Sequence, residues 1–213
     1  MTVGLIAANL IVFWYELSLG RQLGSFVERW GLVPTAVRAV FGGDLWQVGA
    51  LITPLSAMFL HAGWLHLVRN LVYLWFFGRS IEPQLGPVPL LTLYILAGLA
   101  AALAQVVATP TSGVPAIGAS GAVAGLLGAY LPLRLGRGRG GPGPAVRGTD
   151  LLAACLLVLW LATLALGGVL EIAQLAPSSS QFSWWGHLVG LLVGVFLVFL
   201  YRHLRHPSLG GLP

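Results

Sequence analysis

The chain has no lysine, one cysteine and little charge of either sign: 11 basic and 6 acidic side chains are spread over 213 residues, 8% of the sequence. Soluble domains carry about 25% charged residues, so an ordinary soluble protein is excluded. The lone Cys155 leaves no internal disulfide to form. All the basic residues are scattered arginines, and no segment joins a basic run to a soluble module. The net charge of +5 therefore gives no footprint for a nucleic-acid partner.

What the chain does have is apolar surface. Residues of the AVILMFWYC set make up 57% of it, more than a body this small can hide in its own interior, so lipid must solvate part of the outside. Disorder, collagen and coiled coil are excluded by the same composition.

The sparse charges divide the sequence into tracts that can be measured against the roughly 20 residues a helix needs to cross a bilayer. Six spans are expected, at about residues 1–17, 64–82, 88–108, 119–133, 151–170 and 184–201. The first lacks the positive leader and the small-residue cleavage site of a secretory signal. Residues 16–44 are too charged to span and read as a long loop lying in the interface. The turn-forming TPTSGVP splits the uncharged run 83–133 into two spans.

Loops retained in the cytoplasm are enriched in arginine. With the N-terminus inside, the inner loops hold Arg79, Arg134, Arg137, Arg139, Arg147, Arg202 and Arg205, and the outer ones only Arg21, Arg29 and Arg38. The expectation is an all-α membrane protein: a single domain over 1–213, a six-helix bundle with both termini inside and a cytoplasmic linker at 134–149. Spans two, four and six then all start at the outer face.

A polar group inside a membrane helix is costly unless it is paired or faces a wet cavity, so each one is a candidate site. The set is His61, His66, Asn70, Ser120 and His187. His66 and Asn70 share a helix face near the start of span two. Ser120 opens span four in GASG, with Gly118 two residues earlier, and His187 lies in the first turn of span six. All three starts fall at one depth.

Gly121 and Gly125 in span four, and Gly186, Gly190 and Gly194 in span six, are spaced at four residues, the pattern that lets helix backbones approach in lipid. Close approach would bring the Ser120 hydroxyl to His187. A serine beside a general base is the minimum for acyl transfer. The side chains of His66 and Asn70 and the amide at the start of span four could stabilise the oxyanion. The histidine spacing is not that of a helix-borne zinc site, and no carboxylate or cysteine joins it, so neither metal nor cofactor is expected.

HAGWLHLVRN at 61–70, GASG at 118–121 and GHLVG at 186–190 resemble the motifs of the rhomboid intramembrane serine proteases, and the resemblance covers nearly the whole chain. It implies a rhomboid-like bundle that cleaves single-pass transmembrane proteins in the bilayer with a Ser–His dyad. Ser120 would be nucleophile, His187 base and then acid, and His66 and Asn70 oxyanion donors. His61 and Trp46 would support the first loop, and Glu82 would anchor the inner end of span two. The expected setting is a bacterial plasma (inner) membrane with the site toward the outside, and the polar stretch 176–183 as a movable cap.

The chain also departs from the family. Trp46 is followed by Gln47 where relatives often have Trp-Arg. Ala124 stands where many have an aromatic against the catalytic histidine, so the His187 ring needs another neighbour. Arg69 has no assigned partner. The alternative to a protease is a catalytically inactive rhomboid-like protein that binds transmembrane helices without cutting them.

Overall fold

Each apolar tract bounded by charges folds as a helix in the computed structural model, which describes residues 1–135, 148–172 and 184–205. Six helices occupy the six expected tracts: α1 (Thr2–Ser18), α5 (Trp64–Leu85), α6 (Pro87–Ala108), α7 (Ser120–Leu135), α8 (Gly148–Ile172) and α9 (Trp184–Arg205). Between α1 and α5 lie three shorter helices, α2 (Leu23–Trp30), α3 (Pro34–Phe41) and α4 (Thr53–Ser56), and a 3₁₀ segment at Leu45–Ile52. By length and composition α6 and α9 can each cross a bilayer alone. α1 and α5 qualify together with the bent segments that adjoin them, at 111° and 78°.

The region expected as an interfacial loop from residue 16 is thus a run of short helices, and α1 continues through Glu16. The linker expected at 134–149 lies outside the described residues apart from its helical ends, and the expected cap at 176–183 lies outside them entirely.

Helix α7 is the centre of the bundle. From Ala122 to Ala129 every residue is buried, and α9, α6 and α5 pack around it. Its composition explains why. Alanine and glycine leave a thin cylinder, so neighbouring backbones can close on it from several sides. A Cβ at Gly121 or Gly125 would overlap the methyl of Ala101 or Ala97 of α6. On the other side, a Cβ at Gly190 would overlap the Gly121 carbonyl, one at Gly194 the Gly125 carbonyl, and one at Gly128 the Leu191 carbonyl. The expected glycine stripe is therefore two seams. The missing side chains of Gly121 and Gly125 admit α6, while their carbonyls receive the glycines of α9.

Helix α7 begins at Ser120. The loop feeding it is held from above: Leu32 and Ala116 exchange backbone hydrogen bonds at 3.0 and 2.8 Å, and the Thr35 amide donates to the Ser112 carbonyl at 3.1 Å. Gly31 makes this contact possible, since a Cβ there would lie 2.9 Å from Pro115.

At the opposite end, Glu82 accepts from the Thr2 amide at 3.0 Å and pairs with the Met1 amine. It ties α1 to α5. Tyr201 donates to the Leu85 carbonyl at 3.1 Å and joins α9 to the same end of α5.

If the α7–α9 seam carries the bundle, Gly194→Val should lower the melting temperature in detergent sharply, with about 1–3 kcal/mol or more of overpacking. Gly4→Ala, where nothing lies within 4 Å, should leave it unchanged. Equal melting temperatures for the two variants would show that the seam can relax.

Candidate active site

Ser120 is the first residue of α7, and the turn before it is made by Gly118. Gly118 has φ +126°, a conformation that glycine adopts without strain and other residues rarely do. Its amide donates to the Ala57 carbonyl at 2.8 Å, pinning the turn to the segment before α5. A Cβ at Gly118 would lie 2.7 Å from both Cε1 and Nε2 of His66 and 3.8 Å from the Ser120 hydroxyl. The imidazole edge of His66 is thus packed against the turn that presents the serine.

His66 Nδ1 accepts from the Ala62 amide at 3.4 Å. A neutral imidazole that accepts at Nδ1 carries its proton on Nε2, so the nitrogen at the Gly118 turn is a donor. Asn70, one turn further along α5, is buried, and its Nδ2 has no hydrogen-bond partner among the described residues. A buried amide donor left unpaired is costly and marks a place where an acceptor is expected.

Two cavities meet at Ser120. One, of about 140 Å³, is lined by Ser120, His187, Asn70, Arg69, Tyr73 and Trp160 among others. The other, of about 70 Å³, lies on the far side of Ser120, toward α6 and the first loop, and also reaches His187 and Gly186. Ser120, Asn70 and His187, distant in sequence, therefore share one internal space, and the glycine seam supplies the close approach of α7 and α9 that puts them there. No carboxylate is among the residues lining either cavity.

His61 is buried at the head of α5. Its ring nitrogen Nδ1 lies 3.2 Å from the Phe59 carbonyl, and its ring stands 5.2 Å from that of His66. Its backbone amide donates to both carboxylate oxygens of Glu16, at 3.2 and 3.1 Å. It therefore sits at a junction between α1 and the segment before α5. Trp46 behaves otherwise: its side chain is 97% exposed, so the ring braces nothing inside the first loop. Only its backbone takes part, donating to Asp44 at 3.1 Å.

Two residues went unmarked in the sequence. Glu16 is buried at 2% exposure and joins α1 to the segment that leads into the site. As the first charge after an uncharged run it was readable only as a boundary. Trp160 of α8 meets the His187 ring at 5.7 Å and 83°. Its signal was being the one aromatic in the tract 151–170.

An all-helical, lipid-facing bundle with a serine and a histidine in one internal cavity defines the class. A rhomboid domain matches residues 43–204, and the chain belongs to the rhomboid family. It is 28% identical over 195 residues to YdcA of Bacillus subtilis (strain 168), covering 92% of this chain and 79% of that protein. The rhomboid protease GluP of the same organism is 29% identical over 181 residues, 78% of this chain and 33% of GluP. Rhomboid-like protein 11, chloroplastic, of Arabidopsis thaliana is 31% identical over 164 residues, 72% of this chain and 54% of the relative. The chain thus spans about half of the plant protein and about a third of GluP.

Burial, followed by the neighbouring His66, lowers His61 from its usual 6.5 to about 4, against the opposing Phe59 carbonyl. The unfolded chain takes up this proton near pH 6.5 and the folded one only near 4, so His61 makes stability fall as pH drops from 6.5 to 4 and level off below. Melting temperatures of wild type and His61→Asn across that window should converge toward acid, and parallel curves would refute this.

Proposed function

We propose that the chain is an intramembrane serine endopeptidase that cleaves single-pass transmembrane proteins through an acyl-enzyme on Ser120. Membership of the rhomboid family already makes it an intramembrane protease or an inactive rhomboid-like relative. The observation that favours the protease is the unpaired, buried Nδ2 of Asn70 in the cavity that also holds Ser120 and His187. A protein that only bound helices would gain nothing from that unsatisfied donor.

In this reading His187 takes the Ser120 proton as Oγ attacks the substrate carbonyl. The carbonyl oxygen becomes an oxyanion and accepts from Asn70 Nδ2, His66 Nε2 and the backbone amide at the start of α7, where the helix dipole also favours negative charge. Collapse breaks the C–N bond, and His187 returns the proton to the leaving amine. Water then attacks the ester with His187 again as base, releasing the acid and restoring the Ser120 hydroxyl. Among the described residues no carboxylate lines either cavity, which supports reading the pair as a dyad.

Tyr73, Val123, Leu159, Trp160 and Leu164 give the larger cavity an apolar wall, suited to a transmembrane segment opened locally out of its helix. A helical peptide bond is shielded and has to be unwound before attack. Six crossings with both termini inside, and a bacterial plasma membrane with the site on the outer side, complete the proposal. The arginine distribution supports that orientation.

The test is purified protein in detergent with a single-pass model substrate and a fluorophosphonate probe. Wild type should cleave and be labelled, Ser120→Ala should do neither, and His187→Ala should lose cleavage. Asn70→Ala should fold normally and turn over about a hundredfold more slowly. Cleavage that survives in Ser120→Ala would overturn the mechanism. A wild type inert to substrate and probe in several detergents would favour the inactive relative.

A further inference from the structure

We infer that Trp160 of α8 is a positioning residue for His187: its indole, set nearly perpendicular to the imidazole, holds the ring in the plane from which it reaches Ser120. The inference deepens the dyad reading above and rests on it.

The rings lie 5.7 Å apart at 83°, within the 4.5–7 Å range of favourable edge-to-face pairs. The placement of Trp160 is specific. Its neighbours Val158 and Leu161 are exposed, whereas Trp160 is buried and lines the cavity with Ser120, Asn70 and His187. This turn of α8 is tied to α5, where Tyr73 donates to the Leu156 carbonyl at 3.2 Å, four residues before Trp160.

No ring could serve from α7 itself. The position one turn after Ser120 is Ala124, fully buried, and its methyl would lie 3.3 Å from a Cβ at Gly190. The seam that brings α9 against α7 closes the slot in which an aromatic at 124 would sit. An imidazole free to swing about two torsions must be restrained if it is to keep a hydrogen-bonding line to a hydroxyl, and small misplacements cost rate rather than binding. The indole, packed edge-to-face on the imidazole, supplies such a restraint.

The experiment compares Trp160→Ala, Trp160→Phe and, as a control on the lipid-facing side of the same turn, Val158→Ala. Trp160→Ala should lower kcat by about 3- to 10-fold, the worth of one aromatic pair, with KM and melting temperature little changed. Trp160→Phe should recover most of the loss, and Val158→Ala should match wild type. A fall confined to KM would assign Trp160 to substrate contact, and a Trp160→Ala enzyme as fast as Val158→Ala would remove the role altogether. Either result overturns the inference and leaves the Ser120–His187 mechanism intact.

A second readout does not depend on cleavage. A protonated imidazole quenches an adjacent indole more strongly than a neutral one does. The fluorescence difference between wild type and Trp160→Phe should therefore titrate with pH, and the titration should vanish in His187→Gln. Arg69 and Tyr73 share the cavity, so the titration should persist in Arg69→Gln and Tyr73→Phe. A difference signal flat with pH would sink the inference even if the protein proved inert, whereas loss of Ser120-dependent cleavage alone would sink only the dyad.

Discussion

Everything at the site depends on how α7 and α9 interlock. Carbonyl oxygens of Gly121 and Gly125 occupy the space where side chains would be at Gly190 and Gly194, and the Leu191 carbonyl fills the corresponding space at Gly128. The contact runs both ways, with carbonyls of each helix in the glycine gaps of the other. A slip of one helical turn, about 5.4 Å, would carry His187 away from Ser120. Lipid offers no hydrophobic force to press helices together. The gain comes from dispersion over the closely apposed backbones that the glycines allow.

Around that contact the buried polar groups serve different ends. Glu16 gives its carboxylate to the His61 amide, coupling the end of α1 to the chain just before α5. The Ala57 carbonyl takes the Gly118 amide, and residues 32 and 116 pair between the first loop and the loop before α7. The turn that presents Ser120 is thus held by first-loop segments as well as by its own helix. Asn70 stands apart, because its donor is buried without such a partner. Other buried polar atoms, on Thr2, Asn9, His61 and Tyr94, also lack a partner among the described residues, but Asn70 is the one of these that lines the cavity with Ser120 and His187.

The helices were legible because in so apolar a chain each charge marks a boundary, and the tract lengths then match the bilayer. Ser120, His187, His66 and Asn70 stood out for the complementary reason that polar groups in such tracts require an explanation. Their common depth was an expectation drawn from helix direction alone. What could not be read was anything that depends on which way a side chain turns. The glycine stripe announced close packing but did not say that its carbonyls face one neighbour and its empty Cβ positions another. Glu16 looked like the start of a polar loop because one-dimensional charge cannot distinguish a solvated end from a buried junction. Trp46 looked like a brace, yet its ring faces outward. Trp160 lay in a tract with no other distinguishing residue, and only the crossing of α8 over α9 gives it a partner.

The order of these segments along the chain has a consequence for biogenesis. Helices enter a membrane from the N-terminus onward, and the elements that meet at the cavity come from all parts of the sequence: Glu16 first, then the residues around Ala57 and His66, then Ser120, with His187 in the first turn of the last helix. On the proposed mechanism the serine has no base until α9 has docked on its glycines. A half-inserted chain therefore holds its nucleophile in an unactivated state, and the ability to cut arrives together with the contact that completes the bundle.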